Sequence, residues 1–191
     1  MTHCGGGKMS KLRPRWLPIV VLLLATPSAS DAQAPSRFNV HPCSLLSIDE
    51  LETLYGEKAG PPRWLDGQTL STCNVTIGGF AVNLQIAQPG TPGLPTSVLS
   101  GLEGIKLMLS GGKSPFQDLE LKDFGNIGCY SARTTGFLSG PRSIYTTTCF
   151  AVDGGYLNLS MADEDPARAS FDVVKEFTEK AITRRRTAAR P

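Results

Sequence analysis

Two stretches of the chain alternate apolar and polar residues on either side of a Gly-Gly pair. The first alternation spans residues 75–86 around Gly78-Gly79, and the second spans residues 157–161 after Gly154-Gly155. Alternation sends successive side chains to opposite faces of a strand, and consecutive glycines supply the positive φ angles that a tight hairpin turn requires. The pattern therefore predicts two β-hairpins, each with one apolar face.

The two predicted hairpins share further residues at matching positions. In each, a cysteine lies five residues before the Gly-Gly pair, and an Asn-Leu pair, a proline and a helical pattern follow. The matching positions are Cys73 and Cys149, Asn83-Leu84 and Asn158-Leu159, and Pro89 and Pro166. We interpret the chain as two copies of one α-β-β unit, at residues 42–110 and 113–183, with two unrelated hairpins as the alternative.

Three segments have helical patterns. Ser47 and Glu50 form a capping box, and the helix that they begin should run to about Tyr55 and end at Gly56. A second helix is predicted over residues 97–109, and a third begins at residues 165–166, an Asp-Pro pair. Their apolar stripes are Val98, Leu102, Ile105 and Leu109 in the second helix, and Phe171, Val174, Phe177 or Thr178, and Ala181 in the third.

Three more strands are predicted between the second and third helices, at residues 119–122, 127–133 and 143–152. The predicted order is then α-β-β-α-β-β-β-β-α. Such an order is typical of an α+β fold, in which a mostly antiparallel sheet has helices packed on one face. We therefore expect a single α+β domain at residues 33–183.

The first 32 residues have the layout of a secretory signal peptide. Four basic residues at positions 8–15 precede an apolar run at Trp16–Ala25, and small residues up to Ala32 provide a cleavage site. The apolar run is shorter than the about 20 residues that a membrane-spanning helix needs. Export with cleavage after Ala32 is predicted whether Met1 or Met9 is the start, and an uncleaved membrane anchor is the alternative.

Cleavage would leave an even number of cysteines. The remaining four are Cys43, Cys73, Cys129 and Cys149. An even number in an exported chain favours disulfides, and pairing within each copy gives bridges 43–73 and 129–149. The other connectivities would cross-link the copies. Because no pair is spaced C-x-x-C and His41 is the one histidine left, neither a zinc site nor a catalytic cysteine is predicted.

The charge distribution argues against nucleic-acid binding. Residues 33–183 carry 11 basic and 16 acidic side chains, and four arginines lie in residues 184–191. A nucleic-acid-binding domain carries its basic residues on a folded face, not only in a tail. We expect residues 184–191 to form a basic tail whose membrane contact is at most peripheral.

The stretch PCSLLSIDELETLYG, residues 42–56, followed by Cys73, resembles a family of small exported actinobacterial lipoproteins of unknown function. Its layout is also similar to the extracellular sensor domains of some mycobacterial receptor kinases. The likeness covers Pro42 to about Gln88: a Pro-Cys-Ser-Leu-Leu stretch, a short helix that ends in glycine, and a second cysteine that opens a strand. The resemblance implies an exported α+β binding or sensor domain and no particular reaction.

Few residues are candidates for catalysis. The chain has no nucleophile elbow, phosphate loop, zinc signature or dinucleotide fingerprint. An enzyme would have to rely on carboxylates, or on Tyr130, Arg133, Arg142 and Tyr145 if the fold brings them together around a pocket. The one dense acidic group, residues 163–165, is open to two interpretations: it binds calcium, or it caps the third helix.

These observations favour a non-enzymatic, disulfide-stabilised binding domain, periplasmic or secreted, whose partner is a protein of the envelope or exterior or a small ligand. No cofactor, metal or nucleic acid is expected. One alternative is an inhibitor of an exported hydrolase, in which a stiff loop such as Gln88–Pro95 enters a cleft. The other alternative is an envelope enzyme based on carboxylates, tyrosines and arginines.

Overall fold

The computed structural model describes residues 40–110, 116–136 and 140–188. The predicted signal peptide, residues 1–32, and the last three residues of the chain lie outside these ranges. Within them, no helix is both long and apolar enough to cross a membrane.

Seven antiparallel strands form one sheet. They are β1 (Arg63–Asp66), β2 (Leu70–Ile77), β3 (Phe80–Ala87), β4 (Phe116–Asp123), β5 (Gly128–Gly136), β6 (Gly140–Val152) and β7 (Tyr156–Asp163). Their order across the sheet is β1-β2-β3-β7-β6-β5-β4. The predicted α+β class and antiparallel sheet are confirmed, as are the strands expected near residues 119–122, 127–133 and 143–152.

A 3₁₀ helix and three α-helices accompany the sheet. They are the 3₁₀ helix Pro42–Leu45, α1 (Ile48–Tyr55), α2 (Val98–Ser110) and α3 (Phe171–Ala188). Helix α1 has the predicted ends, because Ser47 Oγ accepts the N–H of Glu50 at 3.3 Å and Gly56 closes the helix with a φ of 71°. The Glu50 carboxylate lies 3.5 Å from Lys180 Nζ and 3.2 Å from Arg184 Nη2, which ties α1 to α3.

Helix α3 begins later than the predicted start at residues 165–166. Asp165 caps a separate turn, since its Oδ1 accepts the N–H of Ala167 at 2.9 Å. Ser170 then caps the helix, and its carbonyl accepts the N–H of Val174 at 3.1 Å. The Asp-Pro pair thus starts a turn that does not continue into the helix, and the predicted start was wrong for that reason.

Both predicted hairpins are present. Gly78-Gly79 joins β2 to β3 with φ angles of 58° and 82°, and Asp153–Gly155 joins β6 to β7 with φ angles of 59° and 130° at its two glycines. In each hairpin the cysteine faces the leucine of the Asn-Leu pair: Cys73 faces Leu84, and Cys149 faces Leu159. The two leucines face each other where β3 pairs with β7, an arrangement that a duplicated unit would give.

Strand β1 is not predicted by the sequence pattern. Its four residues pair with residues 71–74 at the edge of the sheet. Only Trp64 is partly buried, and its indole N–H donates to Ser71 Oγ at 2.9 Å. An edge strand exposed on both faces has no apolar alternation, so no periodicity marks it.

The main core lies on the face of the sheet that carries α1 and α3. From the sheet it takes Cys73, Val75, Ile77, Val82, Leu84, Ile86, Cys129, Cys149, Ala151, Leu157, Leu159 and Met161. From α3 it takes Phe171, Val174, Phe177 and Ala181, with Thr178 buried beside them, which confirms the predicted stripe. The apolar face predicted for each hairpin is therefore the face that this core uses.

Helix α2 contacts β4, β5 and β6 on the opposite face, whereas the sequence placed all helices on one face. Gly101 of α2 closely approaches the ring of Phe150, which points away from the neighbouring core residues Cys149 and Ala151. Of the predicted α2 stripe, Val98 is buried, and Leu102, Ile105 and Leu109 are partly buried. The sheet thus has a helix-covered region on each face.

Two disulfides, Cys43–Cys73 and Cys129–Cys149, join the predicted pairs. The first ties the 3₁₀ helix to β2, and the second joins facing residues of β5 and β6. His41 does not meet a thiol, because its Nδ1 accepts the backbone N–H of Cys43 at 3.2 Å and so caps the 3₁₀ helix. Disulfides of this kind are typical of proteins that fold in an oxidising compartment.

Residues 184–186 belong to α3, so the predicted basic tail begins inside a helix. Each arginine has its own partners: Arg184 donates to the Leu45 carbonyl, Arg185 donates to the carbonyls of Ala87, Gly154 and Tyr156, and Arg186 pairs with Asp153. The Arg185 bonds are 3.2–3.3 Å long and reach both hairpins. These arginines therefore fasten α3 to the rest of the domain.

Candidate ligand-binding cavity

The residue after the hairpin cysteine differs between the two hairpins. Asn74 stands at this position in the first and Phe150 in the second. On the face away from the main core, Asn74 is opposite Asn83, and Phe150 is opposite Asn158. The Asn83 amide donates a hydrogen bond to Asn74 Oδ1, and a phenyl ring offers Asn158 no such partner.

Phe150 is the point at which α2 meets the sheet. Its side chain is 1% exposed. A Cβ at Gly128 of β5 would lie 2.7 Å from its ring, and a Cβ at Gly101 of α2 would clash with the ring as well. Both positions need glycine because the ring fills the space where a side chain would begin.

Beside Phe150 a cavity of about 620 Å³ lies between α2 and the sheet. The sheet contributes Tyr130, Phe150, Tyr156 and Asn158, and the helix contributes Ser100, Gly101, Gly104, Ile105 and Met108. Small-molecule sites have volumes of about 300–1,000 Å³ and mostly apolar walls with a few polar groups. The size and the lining of this cavity fit that description.

Gly104 faces the cavity from the middle of α2. No atom outside the helix lies within 4 Å of the place where its Cβ would be, so packing does not require glycine there as it does at Gly101. Glycine inside a helix is less favourable than alanine by about 0.5–1 kcal/mol. Gly104 is exposed and borders the open side of the cavity, where the lack of a side chain leaves the entrance unobstructed.

The polar side chains of the cavity are Tyr130 on β5, Tyr156 and Asn158 on β7, and the hydroxyl residues Thr96 and Ser100. Burial raises the pKa of Tyr156 to about 12, Tyr130 acts in the same direction, and a hydrogen bond from the Asn158 side chain opposes both. The Tyr156 phenol is therefore neutral and protonated at physiological pH.

Asn158 Oδ1 is a buried acceptor for which the described residues provide no donor. Buried side-chain polar atoms nearly always have a hydrogen-bond partner in folded proteins. Its counterpart in the first hairpin, Asn83, is paired with Asn74. The oxygen belongs to a residue of the cavity wall but is itself buried, so a ligand reaches it when the Asn158 amide turns toward the cavity.

The proline-rich loop Gln88–Pro95 forms one wall of the cavity. Gly90 and Gly93 have φ angles of 74° and 82°, which turn the chain twice. The loop ends with Leu94 and Pro95, which line the cavity. The loop that the inhibitor alternative would place in a hydrolase cleft thus borders the candidate site.

The four residues considered for an enzyme are divided between separate places. Tyr130 lines the cavity under α2. Arg133 and Tyr145 face each other on β5 and β6, beside a second cavity of about 470 Å³ near the start of α3. Arg142 pairs with Glu164 at 2.9 Å on the surface. The enzyme alternative required these four residues to come together around one pocket, and the fold does not bring them together.

The acidic group at residues 163–165 is bound to the protein itself. Asp163 is fully buried, and its Oδ1 accepts the N–H of Asp165 at 2.7 Å. Its Oδ2 lies 3.5 Å from Arg168 Nε. Over the ranges that the structure describes, no three His, Cys, Asp or Glu side chains are arranged to hold a metal.

A comparison with protein-family models, curated proteins and solved structures finds no match to this chain. The resemblance of Pro42–Gln88 to exported actinobacterial lipoproteins and receptor-kinase sensor domains therefore stays a prediction.

Sequence reasoning did not single out Gly104, Phe150 or Asn158 as parts of a site. Two signals were available. Two glycines three residues apart inside an amphipathic helix reduce its stability. Such a pair is expected where another part of the chain packs closely against the helix, or where space beside the helix is kept free. The two hairpins also differ at one matching position, where the first has Asn74 and the second has Phe150. The aromatic residue indicates that the outer face of the second hairpin is covered.

Proposed function

We propose that this protein is an exported, non-enzymatic binding domain that holds a small, mostly apolar molecule in the cavity between α2 and the sheet. The observation that carries the proposal is Gly104, a helix-interior glycine that no close contact requires and that leaves the cavity open. Selection for stability alone favours alanine at such a position.

Export is part of this proposal and rests on two supports. The N-terminal residues 1–32 have the layout of a signal peptide. The two disulfides are consistent with an oxidising compartment, in which cysteine pairs remain disulfide-bonded. Periplasmic and secreted locations agree equally well with both supports.

The proposal is tested with N-phenyl-1-naphthylamine, a neutral apolar dye that fluoresces when it leaves water. Purified protein, residues 33–191, should give a saturable signal with one site. Gly104→Leu places a side chain in the cavity and should weaken binding at least tenfold, because the occluded contacts cannot form.

Lys106→Leu is the matched control. It adds the same apolar side chain to the exposed side of α2, at a residue that does not line the cavity. Dye affinity should match that of the unmodified protein. Equal binding by all three proteins, or no saturable binding by any, would remove the cavity as the site.

A further inference from the structure

We propose that the ligand is an uncharged aromatic molecule that donates a hydrogen bond to Asn158 Oδ1. This inference rests on the proposed function, since it takes the cavity under α2 as the binding site. Three properties of the described lining support it: its charge, its rings and its unpaired acceptor.

The charge of the lining comes first. No Asp, Glu, Lys, Arg or His side chain lines the cavity as the structure describes it. Tyr156 stays protonated at neutral pH, since burial raises its pKa to about 12. A charged group moved from water into such surroundings would have no counter-ion and is strongly disfavoured. The part of the ligand inside the cavity is therefore neutral.

The rings of the lining favour an aromatic ligand. Phe150 and Tyr156 are stacked, with ring centroids 6.2 Å apart and an angle of 29° between their planes. Tyr130 adds a third ring to the same wall. Phe150 is almost fully buried, so Tyr130 and Tyr156 supply the ring surface on which a flat ligand can stack. Offset stacking stabilises a flat ring system beyond the burial of its area. An engineered cavity of about 150 Å³ holds benzene, so a cavity of about 620 Å³ has room for several rings.

The unpaired acceptor specifies a donor. Asn158 Oδ1 is buried without a donor among the described residues. The side chain also lies near the Tyr156 phenol, where it opposes the rise of the tyrosine pKa. A ligand with an O–H or N–H group at that point completes the pair, and a ligand without one leaves a buried oxygen unsatisfied.

Five probes separate these properties: 2-naphthol, 2-methoxynaphthalene, naphthalene, 2-naphthoate and 1-decanol. Binding is measured at pH 7 by calorimetry or by displacement of N-phenyl-1-naphthylamine. We expect 2-naphthol to bind about tenfold more tightly than 2-methoxynaphthalene and naphthalene, because only it brings a donor. The charged 2-naphthoate should bind most weakly, and 1-decanol, a donor without a ring, should bind more weakly than 2-naphthol.

Asn158→Leu removes the acceptor and should bring 2-naphthol and naphthalene to the same affinity. Asn83→Leu is the matched control: it makes the same change at the corresponding position of the first hairpin, away from the cavity, and should keep the tenfold difference. Thermal unfolding and near-ultraviolet circular dichroism verify that each variant is folded. If Asn158→Leu does not fold, Asn158→Asp replaces it; a negative charge beside Phe150 should reduce 2-naphthol affinity.

The outcomes distinguish the inference from the proposed function. Saturable binding of all neutral probes with equal affinity would keep the cavity as the site and overturn the donor requirement. Tight binding of 2-methoxynaphthalene would show that the site prefers an acceptor. Tighter binding of 1-decanol than of 2-naphthol would overturn the aromatic class. Failure of every probe to bind would overturn the proposed function itself.

Discussion

The two hairpins share a cysteine, a glycine turn and an Asn-Leu pair, yet their faces away from the main core differ. In β2–β3 the asparagine is paired across the strands with Asn74, and this face carries partly exposed polar side chains. In β6–β7 the asparagine faces Phe150, which is buried against α2. The residue that follows the cysteine therefore accounts for the difference. With Asn74 the outer face is polar and open, and with Phe150 it is covered and has a cavity and an unpaired acceptor.

The comparison explains why the site lies where it does. An aromatic side chain on an outer sheet face needs a cover, and α2 provides it through Gly101. The same ring cannot hydrogen-bond Asn158, so the amide oxygen of this hairpin is buried without a donor among the described residues.

The largest effect is expected from Phe150→Asn, which gives the second hairpin the residue of the first. Loss of a fully buried phenyl ring should reduce the free energy of unfolding by about 4 kcal/mol or more, and dye binding should disappear. Urea unfolding followed by circular dichroism measures the change. Asn74→Phe, the reciprocal variant, should lose less than about 2 kcal/mol because no helix covers that face. Equal losses would contradict the contrast.

Removal of a disulfide should be nearly as costly, and about equal in the two halves. The bridged cysteines are 30 residues apart in Cys43–Cys73 and 20 apart in Cys129–Cys149. Loop entropy gives about 3–4 kcal/mol for either length. Double Cys→Ala variants of each pair should therefore show similar urea midpoints. A difference of more than about 2 kcal/mol would mean that local packing, not chain entropy, dominates one bridge.

Two glycines of α2 should respond to alanine with opposite signs. Gly101→Ala introduces a methyl group against Phe150 and should destabilise the protein by about 1–3 kcal/mol. Gly104→Ala places its methyl group in open space and should stabilise it by about 0.5–1 kcal/mol. Thermal unfolding of the two variants gives the signs. A destabilised Gly104→Ala protein would show that position 104 has a packing role.

The last prediction concerns alkaline pH. The pKa of Tyr156 is raised to about 12 by burial and by Tyr130, and that of Tyr55 is raised to about 12 by burial and by Asp163. The folded state therefore keeps protons that the unfolded state releases near pH 10, and stability should fall as the pH rises from about 10 to 12.

Tyr156→Phe and Tyr55→Phe should each make this fall shallower without changing its direction. Unfolding free energies at pH 8, 10 and 11 would measure it in the unmodified protein and in both variants. An unchanged slope in the Tyr156→Phe protein would mean that this phenol is not protected inside the cavity.

Much of the core architecture could be predicted from the sequence, because it depends on local rules. Alternation around two Gly-Gly turns gave both hairpins, and Ser47 and Gly56 gave both ends of α1. The disulfide pairing followed from pairing cysteines within each repeat. In each of these cases the interacting residues lie in the same element or in the same predicted repeat, so a local pattern is enough to identify them.

What the sequence could not give depends on contacts between distant segments. The face to which α2 binds is decided by the fit of Gly101 against Phe150, residues far apart in the chain. The role of residues 184–186 in holding α3 depends on carbonyls of both hairpins, which no local pattern reveals. That Asn158 Oδ1 has no donor likewise depends on the strand register, which places Phe150 opposite Asn158.

The order of the cysteines has a consequence for biogenesis. The first cysteine after the predicted cleavage site pairs with the second, and the third pairs with the fourth. A chain that enters an oxidising compartment from its N-terminus can form each bridge as soon as the second partner emerges, and the order of emergence leads to the native pairs. Sequential oxidation of such a chain gives the native connectivity without reshuffling, so we expect its maturation not to require a disulfide isomerase.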